Sequence, residues 1–430
     1  MKKLSIVIVF LFFVSSAFAQ TVSDSEANSG SIYSFYGVGT PILQNSAQEK
    51  GMGIFGVSSN DLETSGLSNP AFWGLGAFVR GTANFTLAKY NAEDSFSSST
   101  NSLFEAGTIH VVFPIVKQKL GVSAALYPVT RTNFKSSITK QLFPNATDTL
   151  GYQFDKNGSG GISKLEFGFG YAINKYIAIG YAPSLAFMRT NSSEKIDFST
   201  SGYSTNTVNT DITASAFSQR FGILFSKRGL LNNNDIIQLG SSVVLPVNFD
   251  AKSKSLTTKV INGATTTIDL DRSGIGNVSL PLQVSGGLTY FASPYFNVSA
   301  DGLYEEWSKA KYELNLDEVN NYSDRFLLGI GAQFHPYRKG SDRFFSKFRY
   351  SAGVSYDKGH LTIDNQDINT LWFSTGLGVF APRSSRSSFD LSIQYGIRGT
   401  TTQNLVQEKI WAINFSVNLT ELMFIRPKLN

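Results

Sequence analysis

The sequence contains no cysteine. That absence excludes a lipid-modified N-terminal cysteine, a disulfide scaffold and every thiolate metal site. Charge is scarce as well: Asp, Glu, Lys and Arg make up 16% of the chain, against roughly 25% in soluble domains. Past the N-terminus no run of roughly 18 apolar residues occurs, so no transmembrane helix is predicted. The formal net charge is +5, which falls to +3 once Lys2 and Lys3 are removed, and no basic cluster accompanies it. Nucleic-acid binding therefore has nothing to rest on. What is abundant is aromatic and small: 35 Phe, 18 Tyr and 38 Gly, with aromatics at 13% and a mean hydropathy of −0.06. Few charges with many aromatics suit a sheet that has one face in lipid and the other in polar surroundings.

The N-terminus reads as an export signal. Lys2 and Lys3 form a positive start, Leu4 to Val14 is apolar apart from Ser5, and Ala17-Phe18-Ala19 is an A-x-A cleavage site before Gln20. The apolar stretch is too short for a membrane-spanning helix, which needs roughly 20 residues. Residues 1–19 are therefore expected to be a signal peptide, cleaved from a mature chain that begins at Gln20.

From about residue 76 the chain alternates between apolar and polar residues. Leu371, Phe373, Leu377 and Val379 share one face, against Ser374, Gly376 and Gly378 on the other. Trp411, Ile413, Phe415, Val417 and Leu419 oppose Ala412, Asn414, Ser416 and Asn418. Period two means strands with one apolar and one polar face. The pattern places strands near 77–90, 104–114, 119–134, 162–173, 175–190, 213–227, 235–250, 278–291, 294–308, 323–336, 346–358, 370–381, 387–398 and 408–420. Most exceed the mode of about 5–6 residues in globular proteins and match tilted strands that cross a bilayer. Connections alternate, long after odd strands and short after even ones, with the longest at 135–161, 191–212 and 251–277. That asymmetry belongs to outer-membrane barrels, and an even strand count leaves both termini in the periplasm. Lipid offers no partner to a free N–H or C=O, so the sheet must close on itself. The expected fold is all-β: a 14-stranded antiparallel transmembrane β-barrel over 76–420 in the outer membrane of a Gram-negative bacterium, with outer-membrane lipid around it. Residues 421–430 would be a periplasmic tail. Many such barrels stop on an aromatic residue that the barrel insertion machinery reads, and this chain runs on past Phe424 to Asn430. The insertion machinery is expected as a partner and the barrel as a monomer.

Residues 20–75 follow another rule. Gly37-Val38-Gly39, Gly51-Met52-Gly53 and Ser68 to Gly74 are rich in glycine, serine and proline, and no strand of membrane length fits. Tyr33, Phe35, Tyr36, Ile42, Leu43, Ile54 and Phe55 make the segment too apolar for a solvated tail. The barrel lumen is the interior available to it, so a plug is expected there.

The stretch Lys50-Gly-Met-Gly-Ile-Phe-Gly-Val-Ser-Ser-Asn-Asp61, followed by Asn69-Pro70-Ala71 and a first strand, resembles the hatch of the FadL family of outer-membrane long-chain fatty acid transporters. Later stretches resemble its strands: Leu280-Pro281, Asp301 to Trp307-Ser308, Phe348 to Gly353, and Arg398-Gly399-Thr400-Thr401, the last in the manner of the family's Bacteroidetes branch. The resemblance implies passive uptake of a fatty acid or another hydrophobic small molecule. The solute would enter an apolar lumenal pocket, pass a hatch built on Gly51, Met52, Gly53, Asn69, Pro70 and Ala71, and leave sideways at an inward kink of the third strand. Tyr127-Pro128 lies in that strand, and proline cannot donate to the ladder. An ordinary bulge would read the same way, since Pro183, Pro246 and Pro281 also fall in strands. Three departures stand out: Ile54 where a second glycine is usual, Ser58-Ser59 where small apolar residues are usual, and about ten polar residues, Thr21 to Gly30, ahead of the first aromatics where the family's plug starts closer to its N-terminus.

Chemistry of other kinds finds no motif. His110, His335 and His360 share no spacing, and no serine stands at a defensible distance from His110 for a hydrolytic dyad. Asp364 and Asp367 lack a spaced calcium-ligand set, and Gly158 to Gly161 lacks the Lys-Ser/Thr of a phosphate loop and reads as a turn. Neither an enzyme, a metal site nor a cofactor is expected. Asp301 and Glu305 share the polar face of the ninth strand, where they could line a water path or pin the plug, with Arg349, Arg398 and Lys164 as potential partners. Two functions stay open: the transporter, and a non-transport barrel of similar build that acts as a docking or secretion-system component at the cell surface. The discriminating feature is whether the lumen holds an apolar pocket or is filled.

Overall fold

The computed structural model describes residues 29–59, 64–142, 150–200, 203–261, 264–268, 274–314, 317–318, 321–336, 344–380 and 387–421. The expected signal peptide, and the expected tail beyond Glu421, lie outside the described residues.

Fourteen wall strands run antiparallel in sequence order. They are β1 (Val79–Glu93), β2 (Ser98–Val116), β3 (Leu120–Leu142), β4 (Leu150–Ala172), β5 (Ile177–Phe198) and β6 (Asn206–Arg228). Two strands are interrupted: β7 (Ile236–Val244, then Val247–Ile261) and β8 (Gly274–Leu280, then Gln283–Ser293). The circuit continues through β9 (Phe296–Glu305), β10 (Arg325–Phe334), β11 (Phe348–Asp357), β12 (Thr370–Phe380), β13 (Ser388–Arg398) and β14 (Gln407–Glu421). β14 pairs with β1 from Val79↔Glu421 to Glu93↔Gln407, which closes the barrel and abolishes the free edge. The alternation read from the sequence is the alternation observed. Leu371, Phe373, Leu377, Val379, Trp411 and Leu419 point outward and are exposed, whereas Ser374, Ser416 and Asn418 point inward and are buried.

The structure departs from the sequence reading in four places. First, the connections expected at 135–161 and 191–212 are mostly strand: β3 and β4 pair as far as Leu142↔Leu150, and β5 and β6 as far as Ile196↔Asn206. Outside the bilayer no face needs an apolar row, so the period-two signal fades although the ladder continues. The expected 251–277 loop likewise contains strand up to Ile261, a short return strand (Ala264–Ile268) paired with it, and the start of β8 at Gly274. Second, β9 stops at Glu305, and Trp307–Lys309 forms a single 3-10 turn rather than strand. Third, β7 and β8 break at Leu245-Pro246 and Pro281-Leu282, where proline removes a ladder donor. Fourth, Gly158 to Gly161 is not a turn but lies inside β4, with φ of +115° at Gly160 and +137° at Gly161.

Residues 29–59 and 64–76 pack inside the lumen. Leu67, Ala71, Phe72 and Trp73 pack against Val112 and Ala125 of the wall at one end. Val38 joins Ile162, Met188, Phe249, Val278 and Trp307 in a second apolar cluster. Burying a large side chain such as Phe72 or Trp73 contributes roughly 1.5–3 kcal/mol each. The plug is thus part of the core and not a loose insert.

Candidate functional site

The residues expected to form the hatch lie inside the barrel in two places, Met52-Gly53 over β10 and β11 and Asn69 to Ala71 over β5 and β6, and the wall is shaped to receive both. A short helix, α1 (Ala47–Gly51), begins at a capping box in which Ser46 Oγ accepts from the Glu49 N–H at 3.3 Å and Glu49 Oε2 accepts from the Ser46 N–H at 2.7 Å. The chain then turns through Gly53 at φ +65°, and its backbone runs directly over wall glycines. A Cβ at Gly331 or Gly353 would coincide with the Met52 carbonyl oxygen, and one at Gly329 with that of Gly53. Asn69 Nδ2 donates to the carbonyls of Val57 and Ile223, both at 3.0 Å, while its Oδ1 accepts from Ala71 N–H at 3.0 Å. Pro70 and Ala71 lie on Gly180 and Gly222, where again a side chain would collide.

Charged wall residues hold this backbone. Asp301 accepts from the N–H groups of Gly56 and Val57 and from Ser58 Oγ (3.2 Å). Ser58 also meets Thr289 Oγ1 at 2.9 Å, so the serine that departs from the hatch pattern is matched by polar partners on the wall. Arg80 donates to the Thr64 carbonyl at 3.0 Å, and Arg220 to that of Leu67. Glu408 accepts from Ser31 Oγ at 2.7 Å and from the Ile32 N–H at 2.9 Å, and Arg398 donates to Ser31 Oγ at 3.1 Å.

Asp301, Glu305, Arg349 and Arg398 all face the lumen but do not form one network. Asp301 pins the plug. Glu305 binds Arg325 (3.0 Å), which also grips Asp357 (2.7 Å). Arg349 pairs with Asp390 at 2.7 Å, and Arg398 with Glu408 at 3.5 Å. Lys164 is buried on the same strand as Glu166, which pairs with Arg220. The sequence reading missed Arg325, Asp357, Asp390, Glu408, Glu166 and Arg220. Each sits on the inward phase of its strand, which is the signal that could have found them.

The third strand leaves its neighbour where the resemblance places a kink. β2 and β3 pair only from Val116↔Leu120 to Ile109↔Leu126. Beyond that point β2 stays with β1, as far as Glu93↔Ser98, while β3 stays with β4. The break falls immediately before Tyr127-Pro128, and the β3–β4 register shifts between Pro128 and Thr130. Gly160 and Gly161 lie opposite Thr132 and Arg131, so their positive φ values and the bulge bend one hairpin. Tyr127 is buried and its hydroxyl donates to Glu166 at 2.9 Å.

The plug takes up the edge that β3 thereby loses. Thr40 and Pro41 pair with Arg131 and Thr130, the Ile42 N–H donates to Val129 O at 2.8 Å, and the Gly30 N–H to Asn133 O at 3.0 Å. An Arg131–Glu105 ion pair joins β3 to β2 across the seam. Behind it lies a cavity of about 190 Å³, bounded by Leu103, Glu105, Arg131, the plug and the inner faces of β1 and β10 to β14. Its lining is mixed: Ile42, Leu103, Leu327, Trp372 and Ile410 supply apolar surface, and Lys50, Glu105, Arg131, Arg325, Asp357 and Arg398 supply charge.

His110 corrects an expectation: its Nδ1 lies 2.6 Å from Ser65 Oγ and its Nε2 2.7 Å from Ser123 Oγ. Ser65 comes from the plug and Ser123 from across the β2–β3 ladder, a juxtaposition that spacing alone could not show. The ring is fully buried beneath Trp73 with both nitrogens engaged by hydroxyls, so it acts as a tie between plug and wall. Among the described residues no group of three or more potential metal ligands occurs.

The fold and its contents define a closed, antiparallel, fourteen-stranded β-barrel with an N-terminal segment packed in its lumen. The chain belongs to the BamG family, whose model matches residues 1–430. No curated protein matches it. Solved structures share the fold at low identity. A Pseudomonas aeruginosa FadL homologue superposes with a TM-score of 0.60 at 11% identity, over 89% of this chain and 99% of that one. The Pseudomonas putida toluene transporter TodX gives 0.59 at 15%, over 90% and 100%. The Ralstonia pickettii toluene transporter TbuX gives 0.57 at 14%, over 88% and 98%.

Proposed function

We propose that this protein is an outer-membrane barrel that passes small hydrophobic molecules sideways, between the lumen and the bilayer, at the seam between β2 and β3. The observation that carries the reading is the ladder itself. In lipid every backbone group needs a partner, yet these two strands part at Ile109↔Leu126 and the plug supplies partners to β3 instead. A wall with no passage to make would have little use for that arrangement. Tyr127 and Pro128 would set the kink, Gly51 to Gly53 and Asn69 to Ala71 would seat the hatch, and the Arg131–Glu105 pair would close the seam at rest. The cavity of about 190 Å³ is nearer the roughly 150 Å³ that holds a benzene than the roughly 300–1,000 Å³ of larger ligand sites. A compact solute fits it better than an enclosed long-chain fatty acid. We place the barrel as a monomer in a Gram-negative outer membrane of the Bacteroidetes, exported by its N-terminal signal.

A second reading has its own observation. The plug is pinned by Asp301, Arg80, Arg220 and Glu408, and part of the lumen is occupied by a packed apolar cluster. A barrel filled in this way also suits a docking or secretion-system component that moves no solute. The chain has no native cysteine, so a Glu105→Cys, Arg131→Cys pair bridged by a short bifunctional thiol reagent separates the two. On the transport reading, bridging stops uptake of a labelled monoaromatic into cells that express the variant, and reductive release restores it. Uptake that is unaffected by bridging, or no faster than in cells lacking the protein, would favour the docking reading.

A further inference from the structure

Lys50 is the one described cation lining the seam cavity without a carboxylate in ion-pair contact. Arg131 is matched by Glu105, Arg325 by Asp357 and Glu305, and Arg398 by Glu408. The Lys50 ammonium instead donates to Thr86 Oγ1 at 3.1 Å and to Asn414 Oδ1 at 3.0 Å. Its surroundings are built. Thr86 Oγ1 donates onward to Asn414 Oδ1 at 2.7 Å, which leaves its lone pairs for the lysine. Asn414 Nδ2 donates to Gln394 Oε1 at 3.1 Å, and Gln394 Nε2 returns to the Lys50 carbonyl at 3.2 Å. An ammonium carries three donors, two of which are thus used. The third is available to the cavity. Lys50 is half-buried at the cavity wall with no carboxylate in contact with its ammonium, and an anion in the cavity would gain a charge-assisted hydrogen bond there.

We propose that the seam cavity binds a compact organic monocarboxylate, with its carboxylate on Lys50 and its apolar part against Ile42, Leu103, Trp372 and Ile410. The inference rests on the side-passage reading only for the route of entry; the binding site stands on Lys50 and the cavity. Volume limits the apolar part to about the size of one ring, and the unmatched charge selects the acid over the neutral molecule. Arg131 stays with Glu105, so specificity for the acid falls on Lys50.

Titration of benzoate, benzyl alcohol and toluene into the full chain in detergent, followed by calorimetry and ligand-observed NMR, tests this directly. Benzoate is expected to bind at one site per chain, at least about tenfold more tightly than benzyl alcohol. Lys50→Gln should erase that preference, bringing benzoate and benzyl alcohol to equal affinity, and Lys50→Arg should keep part of it. Equal binding of benzoate and benzyl alcohol to the native chain overturns the proposal without need of any variant, as does a benzoate preference that survives Lys50→Gln. The two readings fail separately. Benzoate bound at Lys50 with uptake indifferent to a bridged seam sinks the passage and keeps the site. Uptake blocked by the bridge with no benzoate preference does the reverse.

Discussion

The plug is held residue by residue, and the strength of each hold follows from the groups involved. Asp301 gathers two backbone N–H groups and one hydroxyl from Gly56 to Ser58. Asp301→Ala should cost about 1–3 kcal/mol through the donors it leaves unmet. The barrel should still form, but limited proteolysis should cut the plug faster than in the native protein. Gly331→Val and Gly353→Val should act more severely, because the added side chain meets the Met52 backbone, which cannot rotate away. Gly302→Ala meets only ordinary contacts and serves as the control. Heat-modifiable gel migration reads the barrel, and proteolysis the plug. His360 offers a pH test in an outer connection, where it packs on Trp307 with ring centroids 4.9 Å apart. Burial, aided by Arg325, pulls its pKa down to about 3, from an unfolded value of roughly 6.5. The buried ring is neutral and the unfolded one gains a proton below that value, so stability is full above pH 6.5 or so and declines as pH falls toward 3. Hydrogen exchange in residues 358–369 should rise over that window, and His360→Phe should flatten the response.

At the scale of strands, most of the wall could be read from sequence and the parting of β2 from β3 only in part. The alternation of Leu371, Phe373, Leu377 and Val379 against Ser374 and Gly376 survives intact because lipid and lumen impose opposite chemistries on the two faces. Where β3 to β6 rise above the bilayer, that contrast lapses, which is why 135–161 and 191–212 read as loops. Pro128 lies next to the end of the β2–β3 ladder, but Pro183, Pro246 and Pro281, in or beside strand segments of their own, carry the same sequence signal. The seam became distinct only through pairing: the loss of β2 beyond Leu126, and the plug segment 30–42 that takes its place. Long-range partners of this kind leave no local signal, and neither do the serines on either side of His110. The bulge makes its own prediction. A Cβ at Gly161 would collide with the Thr130 carbonyl, so Gly161→Val should straighten or unpair the β3–β4 hairpin at a cost of roughly 1–3 kcal/mol. It should also raise exchange at Thr130 and Arg131 before the rest of β3 is affected.

Taken as a whole, the barrel closes through β14 and β1, the β2–β3 ladder ends at Ile109↔Leu126, and a cavity of about 190 Å³ lies behind that gap. The FadL-like hatch sequence and the fourteen-stranded wall are consistent with each other. The chain's own features lie where the two meet: Ser58 on Asp301, Ser31 on Glu408 and Lys50 in the cavity. The packed lumen alone would suit a docking component; on the proposed reading the seam would give a route past the plug without its expulsion. The central claim is therefore that the seam joins the cavity to the bilayer. Leu103 lines the cavity beside the seam and is otherwise buried, which makes it the position to probe. A photo-reactive amino acid would be placed there, the protein reconstituted in bilayers, and the adducts identified by mass spectrometry, with Ile162 inside the second apolar cluster as the comparison. Adducts with lipid acyl chains at position 103 and none at position 162 are the predicted result. Adducts to the protein's own plug and wall alone at both positions would mean that the seam is sealed, and would contradict the side passage.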